Sequence, residues 1–113
     1  MHEHLIMEIE LLHQKVCSAV GDPKRVMILY ALAERPKYVS ELAAELSLPQ
    51  PTVSRHLKIL SDRGMVSAAR EGTAVFYALG DERIIQALDL MRGILRDLIM
   101  REARVVESGA AAG

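Results

Sequence analysis

The sequence predicts a mainly α-helical protein with one small β-hairpin, and three observations predict this fold. Before position 63, apolar residues recur at helical spacing. Two β-prone runs then flank a turn near position 72, and after position 81 the apolar residues return in a heptad-like step. The chain has 113 residues, 50% of them apolar. We therefore expect one domain over 1–107 and a disordered tail at 108–113, which has no large side chain to bury.

The first two helices follow from an apolar stripe and a cap. Residues 5–20 form an amphipathic helix because one face is apolar at steps of 4, 3 and 4. That stripe consists of Leu5, Ile9, Leu12 and Val16. Asp22 can cap a second helix that begins with Pro23, where a missing N–H costs nothing, and that extends to about position 34.

Two shorter helices and a hairpin come next. Ser40 offers a cap for a helix over 41–46, and Pro51 suits the first turn of a helix that Gly64 ends. The apolar face of this fourth helix consists of Val53, Leu57 and Leu60. The runs 66–68 and 75–79 predict a two-stranded hairpin.

The last helix can be capped by Asp81, and its apolar residues step by 4, 3, 4 and 3. They are Ile84, Leu88, Met91, Leu95 and Leu98. The complete order, α-α-α-α-β-β-α, is that of a winged helix-turn-helix, in which the second short helix, here 51–63, enters the major groove of DNA.

This order of elements predicts which side chains contact DNA. On the recognition helix they lie opposite or beside the apolar face, and on the hairpin they lie at the turn. They are Gln50, Thr52, Ser54, Arg55, His56, Lys58, Arg70 and Thr73. Arginine can bind guanine edges in bidentate fashion, whereas serine, threonine and lysine suit bases or phosphates. For His56, the position allows DNA contact or helix packing.

A polar face opposite an apolar stripe is also what an ordinary surface helix shows, so charge is a second criterion. Residues 50–77 carry four basic and two acidic side chains, within a net charge of −1 for the chain. A near-neutral DNA-binding protein must focus its positive charge on one surface or double it by forming a dimer. A winged-helix module whose polar face binds protein instead of DNA is the alternative.

The first and last helices are expected to form a homodimer interface, because their apolar stripes exceed what a small monomer needs. The interface residues are Leu5, Ile9, Leu12, Val16, Leu88, Met91, Leu95 and Leu98. A two-fold pair would place two recognition helices about 34 Å apart and would bind an inverted repeat. The alternative is that the two helices pack on each other within one chain.

Several segments, taken in order, resemble the ArsR/SmtB family of bacterial repressors. GDPKRVMILYAL, at 21–32, resembles the family stretch dP-R-x-x-I-L-x-x-L, and QPTVSRHLKIL, at 50–60, is similar to its recognition helix almost letter for letter. Residues 63–66 and 70–79 resemble its wing. The resemblance covers residues 16–80 and implies a homodimeric repressor that binds a double-stranded DNA operator and is released by an inducer, whose identity it does not name.

The usual sensor sites of that family are missing from this sequence. Two cysteines of the family's third helix match Tyr38 and Ser40 here, neither of which supplies a thiolate. A second family site uses an Asp and three His on the last helix. The matching positions are Asp81, Arg83, Ile94 and Asp97. Dithiol sensors need two cysteines per subunit, and Cys17 is the only cysteine in the chain. We therefore predict no cofactor at the usual family positions.

One further pair could serve a sensor. His13 and Cys17 lie four residues apart on one helix face, within reach of one metal ion, although two ligands are too few for a site. Oxidation of Cys17, or burial of this thiol as a small apolar group, are the other interpretations. A small organic ligand, a partner protein or control without an effector also stay open.

Enzymes and membrane proteins are not expected. The sequence has no nucleophile elbow, phosphate-binding glycine loop or metal-hydrolase pair. Its longest apolar run, 26–33, is far shorter than a membrane span, and its N-terminus is acidic where a signal sequence would be basic. We expect a cytoplasmic protein.

Overall fold

The chain forms two compact units, Met1–Glu82 and Arg83–Gly113, so the division falls inside the predicted domain 1–107. The computed structural model describes residues 1–112, without the side chains at 108 and 110–112. Of the predicted tail at 108–113, the structure describes the backbone of 108–112 as the end of a helix, and position 113 lies outside the described residues. Disorder of this tail stays a prediction.

The N-terminal helical segment spans the predicted range but is not a regular α-helix throughout. Helix α1 (Glu3–Leu12) continues through a π-helical turn (His13–Cys17, hereafter the π-turn) into the short α2 (Ser18–Val20). The backbone N–H of Ser18 donates to the His13 carbonyl, five residues back, where an α-helix would use the carbonyl four residues back. No local pattern in the sequence predicts this turn.

Helix α3 (Pro23–Glu34) begins as predicted. The carboxylate of Asp22 accepts a hydrogen bond from the backbone N–H of Lys24 at 2.8 Å, and Pro23 occupies the first turn. That hydrogen bond lowers the pKa of Asp22 below its ordinary value, because it favours the charged carboxylate.

The start of the next helix corrects the predicted cap. Helix α4 (Val39–Leu46) follows directly on a two-residue strand β1 (Lys37–Tyr38), so its N-cap is Tyr38 and the predicted cap, Ser40, lies inside the helix. Pairing of β1 with the wing holds Tyr38 extended, and its backbone N–H donates to the Glu41 carboxylate at 3.1 Å. Tertiary pairing therefore moved the cap by two residues.

Helix α5 (Gln50–Asp62) is the predicted recognition helix. Its apolar residues Val53, Leu57 and Leu60 are fully buried, as their spacing predicted. They share the core with Ile28 and Leu29 of α3 and with Leu42 of α4, which are also fully buried. Burial of one such side chain contributes about 1.5–3 kcal/mol, so this core fixes which face of α5 is left for solvent.

The wing is a three-stranded antiparallel sheet within the described residues, not the two-stranded hairpin predicted. Strands β2 (Val66–Glu71) and β3 (Ala74–Leu79) form the expected hairpin, with Gly72 at a φ of +60° in its turn. Strand β1 adds to the free edge of β3, which gives the order β1-β3-β2. Two residues are too few for a strand to show an alternating pattern in the sequence.

The second unit is the single helix α6 (Arg83–Ala112). Most of its large apolar side chains are exposed, among them Met91, Leu95 and Leu98. Within the described residues, no helix combines the length and the hydropathy that a membrane span requires.

Candidate nucleic-acid interface

The polar face of α5 is presented to solvent as the sequence predicted. Gln50, Ser54, Arg55 and Lys58 are exposed, and Thr52 is half-buried. The opposite face is held by three fully buried side chains, so the polar face projects from a fixed backbone. A rigid helix with an exposed polar face is what insertion into a major groove requires.

Two side-chain contacts organise this face. The Arg55 guanidinium donates a hydrogen bond to the Thr52 hydroxyl at 3.3 Å, one helical turn away. Lys58 lies 3.6 Å from the Asp62 carboxylate, in an ion pair with both groups mostly in solvent. Because exposed pairs contribute little, a DNA phosphate could replace Asp62 as the partner of Lys58 at small cost.

His56 differs from the other predicted contacts because it faces inward. Its ring is half-buried, and Nδ1 lies 3.3 Å from a guanidinium nitrogen of Arg25 on α3. Of the two roles left open for His56 by the sequence, the structure contains the packing role; a DNA contact stays a prediction.

The wing carries the remaining predicted contacts. Arg70 and Thr73 are exposed at its tip, on either side of Gly72. The hydroxyl of Tyr38 donates to the neighbouring Glu71 carboxylate at 3.0 Å, which raises the pKa of the tyrosine. The Tyr38 ring also meets Phe76 of β3 edge to face, with centroids 4.5 Å apart. Tyr38 therefore connects the start of α4 to the tip and the centre of the wing.

An open groove of about 470 Å³ lies between the start of α4, the start of α5 and the wing. It brings together two predicted contacts that lie far apart in the sequence, Gln50 and Thr73. Its remaining lining residues are Tyr38, Val39, Ser40, Ala74 and Val75. The groove thus joins the recognition helix to the wing. The sequence alone could not predict this junction, because it depends on tertiary packing.

Two arginines that the sequence analysis did not single out as contacts hold α5 in place. Arg25 donates from Nε to the Ala19 carbonyl at 2.6 Å and from Nη2 to the Ser18 carbonyl at 3.0 Å, in addition to its contact with His56. Arg63, at the C-terminal end of α5, donates to the Gln14 carbonyl. Both arginines are visible in the sequence as basic residues, but no local sequence pattern predicts that their hydrogen-bond partners lie on the N-terminal segment.

The family's metal-sensing positions do not fit a soft metal in this chain. Tyr38 and Ser40 offer hydroxyl groups in place of thiolates, and the Tyr38 hydroxyl is already bonded to Glu71. Cys17 is exposed, which does not match its interpretation as a buried apolar group. Among the described residues, no three histidine, cysteine or acidic side chains come together as a potential metal site. A sensor role of His13 with Cys17 stays a prediction.

The predicted dimer residues divide by exposure. Leu5, Ile9 and Leu12 of α1 each expose about half of their surface, as do the three α6 residues Met91, Leu95 and Leu98. Val16 is half-buried. Leu88 is only 8% exposed in the single chain, which leaves little of it for a partner.

Comparison with known proteins identifies the family. The model of the bacterial regulatory protein, arsR family, matches residues 22–68, which hold α3, α4, α5 and the first residues of β2. An uncharacterized HTH-type transcriptional regulator of Methanocaldococcus jannaschii is 44% identical over 78 residues, a match that covers 68% of this chain and 88% of that protein. The chain belongs to the ArsR family. It is accordingly a DNA-binding transcriptional regulator and not an enzyme, as predicted.

Two further proteins show how far the likeness to ArsR-family regulators extends. The transcriptional repressor SmtB of Mycobacterium tuberculosis is 42% identical over 66 residues, 58% of this chain but only 49% of SmtB, so the chain matches about half of that repressor's length. A solution structure from Mycobacterium bovis, Mb0332, described as a homodimeric winged helix-turn-helix DNA-binding domain, superimposes with a TM-score of 0.74. That match covers 89% of this chain and 93% of Mb0332 at 23% identity, and it confirms the predicted winged fold.

Proposed function

We propose that this ArsR-family chain is a homodimeric repressor that binds an inverted-repeat operator and is released from it by an inducer. The observation that carries the proposal is the exposed polar face of α5, which an open groove joins to the wing. Ser54, Arg55 and Lys58 project from a helix whose other face is fully buried, and Gln50 shares a groove with Thr73 of the wing. Base-edge and phosphate contacts need such a surface.

Dimer formation is supported by two exposed apolar faces and by charge. Helix α1 exposes Leu5, Ile9 and Leu12, and α6 exposes Leu95 and Leu98. A net charge of −1 gives a monomer little general attraction for DNA, whereas a dimer places two basic surfaces on one operator. The homodimeric description of Mb0332 agrees with this arrangement.

DNA binding is tested with the purified protein and the DNA just upstream of its own coding region, titrated at several salt concentrations. Saturable binding at nanomolar protein, with random DNA of the same length bound far more weakly, is the expected result. Arg55→Ala should reduce operator affinity by about 1–3 kcal/mol and change the sequence preference, because arginine reads base edges. Equal weakening on every sequence would instead assign Arg55 to the phosphates.

The wing variant Arg70→Ala should weaken binding to all sequences and reduce the salt slope by about one, since its expected partner is the DNA backbone or minor groove. Arg101→Ala, which removes a basic side chain of α6 outside the predicted DNA contacts, is the matched control and should change neither quantity. If the protein prefers no DNA sequence over random DNA, even after selection from random sequences, the proposal is wrong and the protein-binding alternative is favoured.

The dimer is tested by Leu95→Glu, which places a charge in the apolar face without a partner for it. Leu90→Glu is the control, because Leu90 is 73% exposed and lies off the apolar stripe. Sedimentation should show that only the first variant dissociates. The inducer class is sought by repeating the DNA titration with reductant, zinc and chelator in turn, and release by one of them would name the sensor chemistry.

A further inference from the structure

The segment from Gln14 to Ala19 is an irregular part of the N-terminal helix that lies against the recognition helix. Because the Ser18 backbone N–H donates to His13, the Gln14 carbonyl takes other donors, namely the Ser18 hydroxyl and the Arg63 guanidinium. π-Helical turns are rare and occur often at functional sites. Here the turn supplies a backbone acceptor to a residue 49 positions later in the chain.

Arg63 makes the first link between this segment and α5. It follows the last residue of α5 and is half-buried. One of its guanidinium nitrogens donates both to the Gln14 carbonyl and to the Ser18 hydroxyl, which itself donates to Gln14. The C-terminal end of the recognition helix is therefore attached to the π-turn and the residue after it.

Arg25 makes the second link. Its guanidinium donates to the carbonyls of Ser18 and Ala19 on one side and meets Nδ1 of His56 on the other. Since a guanidinium has donors only, Nδ1 of His56 is the acceptor in this hydrogen bond. Arg25 thus joins the same N-terminal segment to the middle of α5.

The two links reach α5 at points seven residues apart, which is about 10 Å along a helix. Two attachment points at that separation fix the tilt of a rigid helix, and its buried face of Val53, Leu57 and Leu60 fixes its rotation. We propose that Arg25 and Arg63 are positioning residues that set the orientation of the recognition helix from the Gln14–Ala19 segment, so that a change in this segment alters operator recognition. This inference rests on the proposed function only where the test measures operator binding.

The sharpest variant is Ser18→Ala, which removes one acceptor of Arg63 while changing no charge and no predicted DNA contact. Ser67→Ala, at an exposed serine of β2 outside the predicted DNA contacts, is the matched control. Measured at several salt concentrations, Ser18→Ala should lower the ratio of operator affinity to random-DNA affinity by about threefold to tenfold at each, with the salt slope unchanged. The second variant, Arg25→Lys, keeps the charge but loses the planar fork, and it should lower the same ratio.

A residue that merely stabilised the fold would lower the unfolding temperature and leave that ratio unchanged. The proposal is therefore overturned if both variants keep the wild-type ratio within twofold. Combining Ser18→Ala with Arg63→Gln separates the links further, because Ser18→Ala should have a much smaller effect once Arg63 can no longer bond to it. Full additivity of the two effects would contradict the link through Arg63.

NMR of the DNA-free protein provides a readout that does not depend on the operator. The imidazole signals of His56, assigned with His56→Gln, should show Nδ1 as an acceptor in the wild type and should shift in Arg25→Lys. Backbone amide shifts should change along α5 in both Ser18→Ala and Arg25→Lys. Changes confined to residues 14–25 would overturn the proposal, whereas wild-type protein without operator preference would refute the proposed function alone.

Discussion

Gly80 lies where the end of the wing meets the end of the recognition helix, and Gly80→Ala is expected to loosen that junction. The backbone N–H of Gly80 donates to the Met65 carbonyl at 2.9 Å, just after the turn that ends α5. A Cβ atom at Gly80 would lie 2.6 Å from the Gly64 carbonyl oxygen and 3.0 Å from that of Met65. Both obstacles are backbone atoms, so a side-chain rotation cannot relieve the clash.

The size of the effect follows from this geometry. Relief of a 2.6 Å contact needs a backbone displacement of several tenths of an ångström, which also stretches the hydrogen bond to Met65. Overpacking of this kind costs about 1–3 kcal/mol, and a weakened hydrogen bond costs about 1 kcal/mol more. We expect Gly80→Ala to lower the free energy of unfolding by about 2–4 kcal/mol.

Gly64→Ala is the matched control because it isolates a different source of strain. Gly64 has a φ of +76°, and among the described residues no atom lies within 4 Å of its added Cβ. Its cost should be about 1 kcal/mol, since left-handed strain is partly offset by a less flexible unfolded chain. Urea denaturation at fixed protein concentration measures the cost of each variant. Circular dichroism is the probe, because the chain has no tryptophan for fluorescence. Equal costs for the two variants would refute the crowding argument.

Three further predictions follow from other contacts. Tyr38→Phe keeps the ring but frees the Glu71 carboxylate at the wing tip, and this freed carboxylate should lower operator affinity. In a Glu71→Gln background, which lacks the carboxylate, Tyr38→Phe should not lower operator affinity. The buried Lys37 donates a hydrogen bond to the Glu45 carboxylate, which raises the pKa of this lysine. The ion pair should therefore stabilise the fold fully below about pH 10, and this stabilisation should be lost as the pH rises through the raised pKa. An unfolding titration at alkaline pH measures the loss. Leu57→Ala should cost about 2–5 kcal/mol and Ile59→Ala, on the exposed side of α5, under about 1 kcal/mol, by urea denaturation.

The predictable parts of the fold were those with long local patterns. The face of α5 could be assigned because Val53, Leu57 and Leu60 repeat at helical spacing, and all three are fully buried. The cap at Asp22 could be assigned because cap and proline are adjacent. Strand β1 and the start of α4 could not, since they depend on pairing with residues almost 40 positions later. The cap moved to Tyr38 for that reason.

The candidate site was predictable in the same uneven way. Its exposed members on α5, such as Arg55 and Lys58, follow from the helix face alone. The inward direction of His56 could not be predicted, because it depends on Arg25, 31 residues earlier. The π-turn is the hardest feature to predict. The Gln14 carbonyl in this turn accepts a hydrogen bond from Arg63, so predicting the turn requires both the local helix propensity and the distant partner.

These contacts also indicate where an inducer could and could not act on this chain. Tyr38 and Ser40 occupy the positions at which members of the family often carry sensing cysteines. The Tyr38 hydroxyl already connects the start of α4 to Glu71 of the wing. A ligand at that place would have to break this bond before it moved the wing. The Gln14–Ala19 segment, in contrast, contacts α5 through two arginines. Since α5 carries most of the predicted base-reading side chains, we expect a change in this segment to alter operator binding through both attachment points.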